Sequence, residues 1–104
     1  MESMFARQGD IGILHTKQTA ERKKPVAPIC GQLILGHGSA TGHRHTVSSD
    51  DASLYEAGED LLLVVHKDTK MLHPEHENKI IPAGAYLVRR QREWLQEEVK
   101  YVVD

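Results

Sequence analysis

The stretch Ser53-Leu54-Tyr55-Glu56-Ala57-Gly58-Glu59-Asp60-Leu61-Leu62-Leu63-Val64-Val65-His66-Lys67 sets two short apolar segments on either side of a polar, glycine-containing tetrapeptide. Ala57-Gly58-Glu59-Asp60 has turn chemistry, and each flank is too short for a stable amphipathic helix. The reading is a pair of strands, Ser53–Glu56 and Leu61–Lys67, joined by a turn. The same grammar extends outward in both directions. Upstream it gives strands near Asp10–His15, Gln32–Gly36 and Gly42–Val47, with Ser48-Ser49-Asp50-Asp51 as a turn; downstream it gives Lys79–Ile81 and Ala85–Trp94 around Pro82-Ala83-Gly84. Short strands at this spacing predict an all-β fold, a small single-domain barrel or sandwich, with at most one short C-terminal helix over Gln96–Val103. A closing strand through Val99–Val103 is the alternative there.

The chain has 104 residues, which is one domain's worth, so residues 1–104 are read as a single β domain. Hydrophobic residues at 39% and charged residues at 27% make a globular balance and not that of a disordered chain. Residues 16–28, Thr-Lys-Gln-Thr-Ala-Glu-Arg-Lys-Lys-Pro-Val-Ala-Pro, hold the densest positive charge and little to bury, and are expected to form a mobile basic loop.

The net charge of −2 supplies no global field for nucleic acid or anionic lipid. The longest apolar run, Leu61 to Val65, is far below the roughly 20 residues of a membrane span, and no signal-peptide pattern opens the chain. A cytoplasmic protein without membrane contact is expected; a homo-oligomer is compatible with all of this. Cys30 is the single cysteine, so no intrachain disulfide forms, and between Ile29 and Gly31 it reads as a small buried hydrophobe.

Seven histidines are the unusual feature. His43-Arg44-His45 places two imidazoles on one face of a strand, about 7 Å apart at the backbone, with Arg44 on the other. His73-Pro74-Glu75-His76 cannot share a strand face, but Pro74 favours a turn that brings both rings inward. His43, His45, His73 and His76 are the candidate ligands for one divalent transition metal, Zn, Ni or Fe, because imidazole suits all three and no thiolate accompanies it. Glu75 or Glu77 is a candidate carboxylate ligand or orienting acceptor, and His37 a spare ligand.

The other motifs carry less. Gly36-His37-Gly38-Ser39-Ala40-Thr41-Gly42 lacks the Gly-Lys-Ser/Thr ending of a phosphate loop and leads into a strand, so it reads as a hairpin or bulge loop. Arg89-Arg90-Gln91-Arg92 with Trp94 can stack on bases; an exposed edge strand guarded by arginines is the more ordinary reading.

These motifs resemble those of a family of small, mostly uncharacterised bacterial proteins. The shared pieces, in order, are Arg7-Gln8-Gly9-Asp10, Gly42 to His45, His73 to His76, and Pro82 to Glu93. The resemblance brings no established activity. A weaker likeness is to cupins: His43, His45, Glu56 and Pro82-Ala83-Gly84 echo their two motifs, although no histidine follows Gly84 and Glu56 is far from His45. It implies a metal-binding barrel. Three functional readings follow: a metal-binding barrel of unassigned reaction first, a non-enzymatic interaction or regulatory module second, and a single-stranded nucleic-acid binder through Arg89 to Arg92 third.

Overall fold

The computed structural model describes residues 3–9, 11–37, 44–74 and 76–90. Among them lie nine strands and no helix: β1 (Ser3–Gln8), β2 (Ile11–His15), β3 (Gln32–His37), β4 (Arg44–Ser48), β5 (Ala52–Ala57), β6 (Asp60–Val65), β7 (Thr69–Met71), β8 (Lys79–Ile81) and β9 (Gly84–Arg90). The expected helix at Gln96–Val103 lies outside the described residues.

The β5–β6 hairpin forms as its sequence dictates. Ala57 pairs with Asp60 across a two-residue turn. Gly58 takes φ +67 and Glu59 an ordinary φ, an arrangement that only glycine adopts without strain.

That hairpin belongs to a five-stranded antiparallel sheet in the order β1-β2-β9-β6-β5. Its inner face carries Ile11, Ile13, Leu54, Leu63, Val65, Tyr86 and Val88, which meet Leu33, Leu35 and Val47 from β3–β4 and Met71 and Ile81 from β7–β8. Reciprocal backbone hydrogen bonds between Thr46 and Leu72, at 3.0 and 2.8 Å, tie β4 to the segment following β7. The strands β3, β4, β7 and β8 therefore form one layer against the larger sheet. Neither layer closes on itself among the described residues, so the fold is an open two-layer sandwich and not the barrel that was the other expectation. β1 and β5 end the large sheet without meeting.

The outer face of the large sheet is also covered. Leu14, Leu62 and Leu87 are buried there with Ala20 and Tyr55 against them. Burial on both faces explains why Leu61–Val65 reads as an unbroken apolar run without alternation. Residues 16–28 form no strand beyond an isolated bridge, but the Val26 amide donates to Leu54 and the Lys24 carbonyl accepts from Glu56, so the loop lies along the edge of β5.

Three sequence expectations change. β1 and β7 are additions to the expected strands, because Ser-Met-Phe-Ala-Arg-Gln shows no alternation and Thr-Lys-Met is too short to establish a period; they become strands by pairing with β2 and β8. Cys30 is exposed and not buried: with φ +51 it and Gly31 form the tight turn between Ile29 and Gln32, which lifts its thiol out of the core. β9 lies between β2 and β6 and is not an edge strand. Arg89 needs no edge to account for it, since its guanidinium holds both Asp60 carboxylate oxygens at 3.4 and 3.0 Å.

Candidate functional site

β4 alternates as its sequence demands. His45 and Val47 turn inward and are fully buried, while Arg44 and Thr46 turn outward. The loop between β7 and β8 returns to the same end of the sandwich and brings His73, buried at 7% exposure, and His76, which is exposed. The three imidazoles form a chain of contacts. Ring centroids are 4.3 Å apart for His45 and His73, 4.4 Å for His73 and His76, and 6.1 Å for His45 and His76, the last pair nearly parallel at 12°.

The cluster is seated on the β1–β2 turn. Gly9 has φ +58, and a Cβ there would come within 2.6 Å of His76 Nε2 and 3.2 Å of His45 Cε1. Any side chain would occupy the space of two rings. Gln8, 2% exposed, precedes it and turns its amide into the same place.

The Gln8 amide is fully committed. Its Nε2 donates to the Met71 carbonyl at 2.8 Å and to the Glu77 carbonyl at 2.9 Å, tying both flanks of the histidine-bearing loop. Its Oε1 faces His45 Nδ1 at 2.9 Å. The reversed amide would aim its oxygen at two carbonyl oxygens, so the orientation is fixed by chemistry. An amide oxygen only accepts, so His45 Nδ1 carries the proton. In the neutral ring Nε2 then holds the lone pair.

Of the four sequence-predicted ligands, His45, His73 and His76 come together; His43 lies outside the described residues, as does Glu75. Glu77 enters the site through its main-chain carbonyl, and among the described residues the Gln8 amide orients the His45 ring. Gln8 and Gly9 were not singled out as site residues by spacing; the signal was their place in the Arg-Gln-Gly-Asp motif. His15 packs edge-on against Phe5 and at a tilt against Tyr86, and His66 bonds to Ser53, so both serve elsewhere.

As the rings stand, no three His, Cys, Asp or Glu side chains among the described residues have their donors set around one ion position. Neighbouring rings are tilted against one another, at 38° for His45 and His73 and 48° for His73 and His76. Convergence of lone pairs at the 2.0–2.1 Å of a zinc to nitrogen bond requires rotation of the two loop rings. His45 is the ring whose direction is already set.

Comparison with known proteins adds a family. The model described as Domain of unknown function (DUF8820) matches residues 7–91. The chain belongs to this family. The matched span of DUF8820 opens at Arg7 and contains Gln8, Gly9, His45, His73 and His76, so the whole cluster and its support lie within the family domain. No curated protein and no solved structure matches the chain.

Proposed function

We propose that this protein binds a divalent transition metal, zinc, nickel or ferrous iron, through His45, His73 and His76, with His43 as a further ligand candidate from its spacing. The observation that carries the reading is the Gln8 amide. Two main-chain carbonyls fix it, it fixes the His45 tautomer, and it leaves Nε2 as the lone-pair nitrogen beside two further imidazoles. A hydrogen bond from the remote ring nitrogen is the usual support of a metal-bound histidine. Metal binding turns His76 and His73 about their side-chain bonds while His45 stays in place; the exposed position of His76 leaves room for this. A site of three imidazoles without thiolate retains an open coordination position, suited to binding a small ligand or activating water.

The test is metal content and thermal stability of chelator-stripped protein with zinc, nickel or ferrous iron restored. The parent should bind about one equivalent and gain melting temperature as metal exceeds its dissociation constant. His45→Ala and His73→Ala should lose that response, and His66→Ala should keep it. A parent that carries no metal and gains no stability overturns the reading. The interaction-module reading then takes its place, favoured by the exposure of Ile80 at 56% and Leu72 at 37% on the smaller layer.

A further inference from the structure

The outer face of the smaller layer holds a cleft of about 560 Å³ that shares only His73 with the imidazole cluster. Its walls include Arg44 and Thr46 from β4 and Leu72, His73, Pro74 and Asn78 from the β7–β8 loop. Strand alternation creates it: the register that buries His45 and Val47 turns Arg44 and Thr46 out. The reciprocal backbone bonds between Thr46 and Leu72 hold the loop alongside β4, so the floor of the cleft is fixed by main chain.

Its chemistry is one-sided. Arg44 is exposed and forms no ion pair with any described residue, and no described carboxylate lines the cleft. Leu72, 37% exposed, and Pro74 supply an apolar wall beside that guanidinium. A neighbouring cleft of about 640 Å³ has the opposite character, with Asp50, Asp51 and Asp68 against Lys70. An anion is therefore drawn to one cleft and repelled by the other.

We infer that the Arg44 cleft binds a small organic acid, its carboxylate on the Arg44 guanidinium and its hydrocarbon body on Leu72 and Pro74. The guanidinium fork matches a carboxylate in two parallel hydrogen bonds, and the Asn78 amide and Thr46 hydroxyl are neutral polar groups at the same rim. The apolar wall adds burial that a bare inorganic anion cannot use. The inference goes beyond the metal reading and does not depend on it, because Arg44, Leu72 and Pro74 stand outside the imidazole cluster.

The experiment is an amide-resolved NMR titration of the metal-free chain, in chelator, with sodium hexanoate, and with hexan-1-ol and inorganic phosphate as comparisons. Hexanoate should give saturable shifts at Thr46, Leu72, His73 and Asn78. Arg44→Gln should weaken it by at least about tenfold at unchanged melting temperature, since two charge-assisted bonds are lost from an exposed side chain. Leu72→Ser should weaken hexanoate and leave the response to phosphate as it was. Absence of saturable shifts at these residues, or equal affinity in Arg44→Gln, overturns the inference; phosphate or hexanol binding as tightly as hexanoate also does. Because no metal is present, each outcome is separate from that of the metal experiment.

Discussion

Gln8 Oε1 lies 2.9 Å from His45 Nδ1 across 37 residues of chain, and that contact joins the first strand to the center of the candidate site. The same amide closes on Met71 and Glu77, so one side chain ties β1, β4 and the β7–β8 loop together. Gln8→Leu keeps the bulk but strips partners from two carbonyls and a buried ring nitrogen. An unmatched buried polar group costs about 1–3 kcal/mol, so the variant should lose roughly 2–4 kcal/mol in urea unfolding. A loss below about 0.5 kcal/mol would show that the network does not hold the loop. In the metal titration the variant should also bind about 10–100-fold more weakly, the usual effect of removing a ligand's orienting partner.

Gly9 and Gly58 make a matched pair. Both have positive φ, +58 and +67, but a Cβ at Gly58 meets nothing within 4 Å whereas one at Gly9 meets His76 and His45. Gly58→Ala should cost only the backbone term, about 1 kcal/mol. Gly9→Ala should cost more and should also separate the rings. Circular dichroism melts of both variants, together with zinc affinity, read the difference; equal metal binding in the two would sink the seating role of Gly9.

Metal binding should depend on pH in a defined direction. Neutral imidazole is the ligand, so protons compete, and affinity should fall as pH drops through the ordinary histidine range near about 6.5. The melting-temperature gain from zinc should be present at pH 7.5 and absent near pH 5, values chosen roughly one unit or more either side of that range. A gain that stays constant between these values would exclude imidazole ligands.

Tyr86 should make the fold alkali-sensitive. Burial, and then the Asp68 carboxylate, raise its phenol above the ordinary 10.0, so the folded state retains a proton that the unfolded chain releases. That contribution is complete below the unfolded value and is lost as pH rises through the folded one. Tyr86→Phe removes the 2.7 Å hydrogen bond to the Pro82 carbonyl and should lose about 1 kcal/mol at neutral pH. Its stability should then decline less than the parent's above about pH 10, as measured by denaturant titration at several pH values.

Trypsin should cut residues 16–28 first, after Arg22 or Lys23. Arg22 sits in a turn at φ 62, while the Lys24 carbonyl is held by Glu56 and the Val26 amide by Leu54. Mass spectrometry of the earliest fragments checks this. Initial cleavage after Lys67 would contradict it.

The sequence by itself determined the period-two grammar. The turn at Gly58, the inward and outward sides of Arg44-His45, and the sites of β2, β3, β4, β5, β6, β8 and β9 all follow from side-chain alternation and turn residues, which are local properties. Tertiary structure alone decided the rest. Ser3–Gln8 and Thr69–Met71 are strands because partners pair with them, and Cys30 is exposed because a tight turn needs its φ and not because of its own polarity. Sandwich and barrel have the same local signals; which edges meet depends on pairings far apart in the chain. So it is with the site: the His73-Pro74-Glu75-His76 motif advertised the loop, but only the fold brings Gln8 and Gly9 under it. A contact such as Gln8 to His45 leaves no periodic trace, because its partners are fixed by sheet register and not by spacing along the chain.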